Sequence, residues 1–172
     1  MSFRRTGCTL TFEPFLGAAK LQLLGEAAKA DIANVLGTPL PGPLCEIAIG
    51  GLHCAWLAPS AWLLSGAEAE VTAIAARCRE TAGEKGLVLD LGAAIATFLL
   101  SGPAAREALA THCPLDLSDG AMPVGTAARS LLGEARLILS RRPDSDDGSP
   151  VFRLIVDQTM GDYAARMLSD PA

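Results

Sequence analysis

Apolar residues follow two different periods in the first quarter of the chain. Lys20–Leu23 alternates polar and apolar residues one by one, which is typical of a strand that buries one face. After Gly25 the apolar residues recur at the three- and four-residue intervals of one helical face: Ala28, Ile32, Val35 and Leu36. The next residue, Gly37, suits the end of a helix. The pattern therefore predicts a strand followed by a helix.

A hairpin and a second helix are predicted in the next part of the chain. Cys45–Ile49 and Leu52–Leu57 are short apolar runs joined by two glycines, which is a hairpin signal, and Ala61–Leu64 is a third strand. Ser65 precedes Glu68 by three residues, the spacing of a capping box that opens a helix. The inward face of that helix is expected to carry Val71, Ile74 and Cys78, with Gly83 at its end.

Further apolar runs predict strands and two helices in the second half. Strands are expected at Leu87–Leu91, Ala96–Leu100, Ala127–Ser140 and Val151–Val156. One helix is expected over Gly102–Cys113, because Pro103 suits a first helical position and Pro114 ends the helix. Ala105, Ala108, Leu109 and His112 would form its face. The other helix is expected over Thr159–Leu168.

This order of elements predicts an α+β fold of mixed, mostly antiparallel sheets with helices. Two ferredoxin-like halves fit the order of strands and helices. The whole chain, residues 1–172, is expected to be a single domain. Its N-terminus, about residues 1–14, is expected to be flexible, and residues 141–150 are expected to form a mobile hairpin loop.

Composition favours a protein that meets other protein subunits. The chain has 50% hydrophobic and only 19% charged residues, against about 25% charged in a typical soluble domain. So little charge leaves apolar surface uncovered, and such patches often mark subunit interfaces. The simpler alternative is a large alanine-rich core.

Charge and cysteine usage exclude some classes of function. A net charge of −5 argues against nucleic-acid binding, and Arg141-Arg142 lies beside Asp144, Asp146 and Asp147, as in a solvated loop. The sequence contains no run of about 18 apolar residues, so no membrane span is predicted. Five scattered cysteines without a C-x-x-C pair predict reduced, buried thiols and a cytoplasmic location: Cys8, Cys45, Cys54, Cys78 and Cys113.

Histidine and cysteine offer little support for catalysis or metal binding. The two histidines stand in His53-Cys54 and His112-Cys113, and two such pairs could supply a zinc site or a Cys–His nucleophile. Neighbouring strand residues point to opposite faces, so His53 and Cys54 cannot easily bind one ion. Separate packed side chains are the expected outcome.

Two carboxylates and two tryptophans are the remaining candidates. Asp90 and Asp116 follow apolar segments and could transfer protons, but such residues more often accept hydrogen bonds from the next turn. Trp56 and Trp62 are expected on one side of adjacent strands, usually as core and occasionally as a stacking platform. No dinucleotide or P-loop motif is present. We therefore assign no catalytic, cofactor-binding or metal-binding residue.

Several short motifs together resemble the gamma subunit of heterotetrameric sarcosine oxidase. The resemblance covers most of the chain from about Phe15 onward, and each motif is only moderately specific. The motifs are LGTPLP (Leu36–Pro41), WLAPSAWLL (Trp56–Leu64), LDLGAAIATFLLSG (Leu89–Gly102), CPLDL (Cys113–Leu117) and FRLIV…DY (Phe152–Tyr163).

The resemblance implies a fold related to the folate-binding domain of aminomethyltransferases. It also implies a non-catalytic subunit without a cofactor of its own, whose partners are alpha, beta and delta subunits. Those partners would carry FAD, FMN, NAD, zinc and the tetrahydrofolate site. The complex would oxidise sarcosine to glycine and hydrogen peroxide and pass a one-carbon unit to tetrahydrofolate.

The chain departs from the family pattern at several positions. Ala58, Ser60 and Ala61 stand where the family usually has Gly, Asp and Glu, and Ile95 replaces a common arginine. The segment Gln158–Tyr163 replaces an Arg-Ser-Phe-Ala-Asp-Tyr pattern, and residues 165 and 167 are Ala and Met where tryptophans often follow. These departures imply a diverged member whose complex prefers another secondary amine.

Two alternatives stay open at this point. One is a stand-alone folate-binding or aminomethyltransferase-like protein, for which Asp90 is the nearest catalytic candidate although no motif assigns it that role. The other is a homo-oligomeric module that has only itself as partner. Neither alternative is excluded by composition or motif spacing.

Overall fold

The computed structural model describes residues 2–5, 7–14 and 16–169, and of residues 3–5 the backbone only. The strands in this part of the chain are β1 (Ser2–Arg5), β2 (Cys8–Phe12), β3 (Leu16–Leu23), β4 (Glu46–Ile49), β5 (Leu52–Ala58), β6 (Ala61–Ala67), β7 (Gly86–Asp90), β8 (Ile95–Ser101), β9 (Ala127–Leu132), β10 (Ala135–Arg142) and β11 (Val151–Asp157). The α-helices are α1 (Gly25–Leu36), α2 (Glu68–Ala82), α3 (Ala105–Ala110) and α4 (Gly161–Ser169). Short 3₁₀ helices lie at Gly83–Lys85, Gly92–Ala94 and Gln158–Met160.

The chain divides into two compact units, each built around one antiparallel sheet. Phe15–Ala93 forms one unit, and Met1–Pro14 together with Ala94–Ala172 forms the other. The two units correspond to the two halves predicted from the order of elements. That the whole chain behaves as a single domain stays a prediction.

The Phe15–Ala93 unit has a ferredoxin-like order of strands. Its sheet runs β4-β5-β6-β3-β7, and every neighbouring pair is antiparallel. In chain order, β3, α1, β5, β6, α2 and β7 reproduce the βαββαβ motif, with β4 added at the edge. Apolar residues of the sheet pack with both helices in one core, which includes Leu21, Leu23, Ile32, Leu64, Val71 and Cys78.

The other unit has the same spatial order with a permuted connection. Its sheet runs β1-β2-β8-β11-β10-β9. The first five elements of the βαββαβ motif are β8, α3, β10, β11 and α4. The position of the motif's last strand is occupied by β2, which precedes these elements in the chain. The core packs α3 and α4 against the sheet and includes Leu10, Phe98, Leu100, Leu109, Phe152 and Leu168. Both halves are thus ferredoxin-like, as predicted.

Several predicted elements differ from the structure. Near the N-terminus no strand was predicted, but β1 and β2 form there and pair with each other; flexibility of this segment stays a prediction. The expected strand Ala127–Ser140 is the hairpin β9–β10, because the chain turns at Gly133-Glu134. Of the residues predicted as a helix, Gly102–Cys113, only Ala105–Ala110 are α-helical, as α3. The capping box is also wrong: Ser65 is buried within β6, and α2 begins without a side-chain cap.

The loop expected over residues 141–150 is shorter than predicted. Arg141 and Arg142 belong to β10, and only residues 143–150 connect it to β11. Arg141 is 3% exposed, lies over the Phe152 ring and pairs with Asp144, so its prediction as a solvated residue is wrong. The ring and the carboxylate offset the cost of burying the guanidinium. Mobility of the remaining loop stays a prediction.

Candidate functional site

The two candidate acid–base carboxylates, Asp90 and Asp116, accept hydrogen bonds from the backbone of the turns that follow them. Asp90 ends β7, and its Oδ1 accepts a hydrogen bond from the Gly92 backbone N–H at 2.9 Å. Asp116 Oδ1 accepts one from the Ser118 N–H at 2.9 Å. Backbone and side-chain hydrogen bonds from Ser118 lower the pKa of Asp116. An exposed carboxylate with a lowered pKa is ionised at neutral pH, so Asp116 is poorly suited to donate a proton.

The first His–Cys pair is split across the sheet. His53 Nδ1 lies 3.7 Å from Glu46 Oε1 of the neighbouring strand. Cys54, the next residue of β5, belongs to the core packed against the helices. Burial, with smaller contributions from Cys78 and Glu46, raises the pKa of the Cys54 thiol to about 12. The thiol is therefore protonated at neutral pH and is not an activated nucleophile.

The second His–Cys pair follows α3 in the other unit. Cys113 is buried and its Sγ lies 3.6 Å from Ser130 Oγ, while His112 is half-buried. Within the residues that the structure describes, no group of three or more His, Cys, Asp or Glu side chains is arranged to hold a metal ion. Burial of Cys54 and Cys113 supports separate packed side chains, and that neither pair has a chemical role stays a prediction.

The two tryptophans lie side by side, as their spacing predicts. Trp56 of β5 pairs directly with Trp62 of β6, which places both indoles on the same face of the sheet. Trp62 is 3% exposed, and its Nε1 donates a hydrogen bond to the Pro41 carbonyl at 2.9 Å. Trp56 is half-buried. Trp62 is thus part of the core, and Trp56 presents part of its ring to solvent.

A groove of about 470 Å³ lies over this tryptophan pair. We call it the tryptophan groove. Its other walls are one side of α1, the proline-rich segment 39–43 and the turn at Pro59, and the α1 side contributes Glu26, Lys29, Ala30 and Ala33. Lys29 Nζ lies 5.8 Å from the centre of the Trp62 ring and 2.7 Å from Glu26 Oε1. The groove thus combines aromatic surface with one ammonium group that is paired with the Glu26 carboxylate.

The proline-rich composition of residues 38–43 predicts a rigid connector and nothing more. The hydrogen bond to Trp62 fixes the segment against the sheet, which a proline-rich composition alone does not reveal. The local sequence does not mark Lys29 either, because its position over the Trp62 ring depends on how α1 packs on the sheet. The separation of the two tryptophans was the only sequence signal for this region.

The other unit carries a second concave region of about 570 Å³. It lies between the start of β2, the turn Ser101–Pro103 and the loop residues Ser145–Asp147. The Asp147 carboxylate accepts hydrogen bonds from Ser145 Oγ at 2.7 Å and from the Ser149 N–H at 3.0 Å, and these bonds lower its pKa. Asp147 therefore stabilises its own loop.

Sequence comparison gives a consistent family match. Residues 23–172 match the model of the sarcosine oxidase, gamma subunit family. The chain is 36% identical over 124 residues to sarcosine oxidase subunit gamma from Arthrobacter sp., a match that covers 68% of this chain and 58% of the relative. It is 30% identical over 149 residues to the same subunit from Corynebacterium sp. strain U-96, covering 85% and 69%. The match thus spans less than two thirds of the Arthrobacter relative's length.

Structural comparison gives two informative matches. Heterotetrameric sarcosine oxidase from Corynebacterium sp. U-96, in complex with pyrrole 2-carboxylate, contains a chain that matches with a TM-score of 0.84 and 26% identity, covering 95% of this chain and 82% of that one. Aminomethyltransferase T of the glycine cleavage system from Bartonella henselae matches with a TM-score of 0.68 and 14% identity, covering 94% and 45%. The second match shows a shared fold only.

Proposed function

The chain belongs to the sarcosine oxidase gamma subunit family, and on that basis we propose that it is a non-catalytic structural subunit of a heterotetrameric, flavin-dependent sarcosine oxidase-like complex. Its partners in this proposal are alpha, beta and delta subunits, and the complex is cytoplasmic. Within the described residues no helix is long and apolar enough to cross a membrane. The observation that carries the proposal is the family match over residues 23–172.

In this proposal the chemistry takes place on the partner subunits. They carry FAD, FMN, NAD, zinc and the tetrahydrofolate site, and they oxidise sarcosine to glycine with transfer of a one-carbon unit to tetrahydrofolate. The contacts within this chain support that assignment. The carboxylates of Asp90 and Asp116 hold turns, and burial raises the pKa of the Cys54 thiol. These groups stabilise the fold of a subunit.

Reconstitution with and without this chain tests the proposal. The alpha, beta and delta subunits are co-expressed with the chain and, in parallel, without it. We expect the full set to purify together and oxidise sarcosine, and the chain alone to show neither flavin absorbance nor activity. A chain that stays apart from the other three subunits, or that oxidises sarcosine by itself, contradicts the proposal.

The shared fold with aminomethyltransferase T supports one alternative, a stand-alone folate-binding protein. Calorimetry of the isolated chain with tetrahydrofolate separates the two functions. The structural-subunit proposal predicts no saturable heat in the micromolar range. Saturable micromolar binding would favour the alternative, in which case variants of Asp90 would be the first to examine for loss of binding.

A further inference from the structure

We propose that a partner subunit adds an extended, acidic segment to the free side of strand β9, where Arg129 pairs with a carboxylate of that segment. This inference rests on the proposed function, since it requires partner subunits. We call the surface the β9 edge, and it consists of the side chains of Arg129 and Leu131 and their outward-pointing backbone. Three observations carry the proposal: the unpaired backbone, the absence of a side chain that blocks it, and the charge.

The backbone of β9 is unpaired on one side. β9 is the last strand of its sheet and pairs only with β10, in antiparallel orientation. Alternate residues of such a pair bond the neighbouring strand, and the tight turn between Leu132 and Ala135 makes these two a bonded pair. The N–H and C=O groups of Arg129 and Leu131 therefore point away from β10, and no loop among the described residues bonds them. An extended segment is the partner that satisfies such groups.

The edge strand β7 of the other unit shows how this chain blocks an edge. The Leu91 N–H bonds the Ala18 carbonyl of β3, so by alternation the backbone of Val88 points away from β3. Arg79 of α2 donates from Nη2 to that Val88 carbonyl at 3.2 Å. A charged side chain over an edge is a common protection against further strand pairing. Within the described residues no side chain protects β9 in this way, so β9 is the edge left open.

The side chains of the β9 edge identify the chemistry of the added segment. Leu132 belongs to the core beneath the helices, so alternation places Arg129 and Leu131 together on the opposite face. Leu131 is 46% exposed, and Arg129 is exposed without an ion pair among the described residues, although the net charge of the chain is −5. A carboxylate opposite the guanidinium and an apolar residue opposite the leucine complement this pair.

A second arginine on this face already has a nearby carboxylate. Arg136 of β10 lies directly opposite Leu131. Hydrogen bonds from Thr159 and, to a smaller extent, the charge of Arg136 lower the pKa of Asp157. Arg129 is therefore the cation that is available to a partner.

The same charge argues against a second copy of this chain as the occupant. Antiparallel pairing of two β9 strands along their full length sets Arg129 opposite itself or opposite Leu131 of the other copy. Both registers bring the two Arg129 guanidiniums onto one face within one cross-strand step, and like charges there are destabilising. An acidic segment of a partner subunit has no such penalty.

Three variants and the assembled alpha, beta and delta subunits test the β9 edge. The affinity of the chain for these subunits is measured for the wild type, Arg129→Glu, Leu131→Pro and Arg166→Glu. Leu131→Pro removes an outward N–H but no bond to β10, since proline is tolerated on the free side of an edge strand. Arg166, exposed on α4, carries the same charge change and is the matched control. We expect affinity to fall roughly tenfold for R129E and L131P, with R166E unchanged.

Hydrogen exchange distinguishes strand pairing from contact between side chains alone. Amide protons on the free side of an edge strand exchange quickly, because water reaches them without unfolding of the sheet. We expect exchange in residues 127–132 to slow when the chain joins the partner subunits. Thermal unfolding of each variant shows whether its fold is retained, and if L131P does not fold, R129E and hydrogen exchange decide.

The outcomes separate this inference from the proposed function. If the wild type does not assemble with the partner subunits, the proposed function fails, and the inference fails with it. If the wild type assembles but R129E binds as tightly as R166E, or residues 127–132 gain no protection, the inference alone is overturned. Protection of these residues in the isolated chain at rising concentration would show a second copy as the occupant and would also overturn it. Weaker binding of R129E together with slower exchange on assembly supports the proposal.

Discussion

Two buried thiols make the stability of the protein depend on alkaline pH. Burial raises the pKa of Cys54 from 9.0 to about 12, and that of Cys78 from 9.0 to about 11. At a pH between 9.0 and the raised pKa of each thiol, the unfolded chain has released the thiol proton while the folded chain keeps it. The stability is therefore fully present below pH 9 and is lost as the pH rises from about 9 towards 12.

Unfolding in urea at a series of alkaline pH values measures this effect. We expect the free energy of unfolding of the wild type to fall as the pH rises above 9. Cys54→Ala will be less stable at neutral pH because it leaves a cavity, but its stability will fall less steeply with pH. Cys45 is exposed, so Cys45→Ser is the control and should keep the wild-type slope. Equal slopes for C54A and the wild type would disprove the explanation.

At the scale of secondary-structure elements, the ion pair between Arg153 and Glu13 holds the N-terminal segment to its sheet. Glu13 follows β2, and its N–H donates a hydrogen bond to the Thr97 carbonyl of β8 at 2.9 Å. Arg153 of β11 donates from Nε to Glu13 Oε2 at 3.1 Å, and the two side chains are 8% and 20% exposed. This contact explains why residues near the N-terminus belong to the sheet.

Replacing one partner of this pair should destabilise the protein. Glu13→Gln leaves the Arg153 charge buried without a counter-charge, and we expect a loss of about 1.5–3 kcal/mol in the free energy of unfolding. The double variant E13Q/R153M removes the charge as well and should recover much of that loss. Glu26→Gln, at the exposed pair with Lys29, is the control and should cost under about 0.5 kcal/mol. A loss for E13Q as small as that for E26Q would contradict the role of the ion pair.

The turn between β9 and β10 requires glycine for two reasons. Gly133 has φ of 56°, and a Cβ there would collide with the Tyr163 hydroxyl. That hydroxyl accepts a hydrogen bond from the Glu134 N–H at 3.1 Å, so it cannot easily move away. Gly148 has φ of 77° with nothing near its absent Cβ.

The two glycines give a matched pair of variants. Gly148→Ala should cost about 1 kcal/mol, since only the left-handed backbone is strained. Gly133→Ala adds the collision with Tyr163, and we expect a loss of about 2–4 kcal/mol. Chemical denaturation of both variants provides the comparison. Equal losses would show that the contact with Tyr163 is not a packing constraint.

Alternation of apolar residues predicts the central strands because tertiary contacts and local pattern agree there. It fails where apolar residues continue on both sides of a turn: Leu131 and Leu132 precede Gly133 and Ala135 and Leu137 follow it, so the pattern predicts one strand where the structure has two. Residues 8–12 also alternate, with Cys8 and Leu10 buried. Their pairing partner, β8, lies far away in sequence, so the local pattern does not reveal the pairing. Burial of Arg141 and Arg153 likewise depends on partners from other strands.

The candidate groove was only partly predictable for the same reason. The pairing of Trp56 with Trp62 follows from their spacing across a tight turn, and the structure confirms it. The position of Lys29 and the hydrogen bond from Trp62 to Pro41 depend on how α1 and residues 38–43 pack on the sheet. No periodicity in the sequence encodes those contacts.

At the scale of the whole molecule, two ferredoxin-like units are built from one chain with different connections. Each adds an edge strand beside the second strand of its motif, β4 beside β5 and β9 beside β10, and the second unit adds β1 beside β2 as well. Among the described residues, large apolar side chains are exposed in both units, including Leu24 and Leu87 in one and Val124 and Leu131 in the other. Each unit thus leaves some apolar surface uncovered, and that this surface meets partner subunits stays a prediction.

The most direct test of the central claim is native mass spectrometry of the endogenous protein, purified through a tag on this chain. The account predicts one complex that contains this chain with alpha, beta and delta subunits, one copy of each, and flavin that remains with the partners when the complex is dissociated. A protein recovered only as a monomer, or only as an oligomer of itself, would contradict the account.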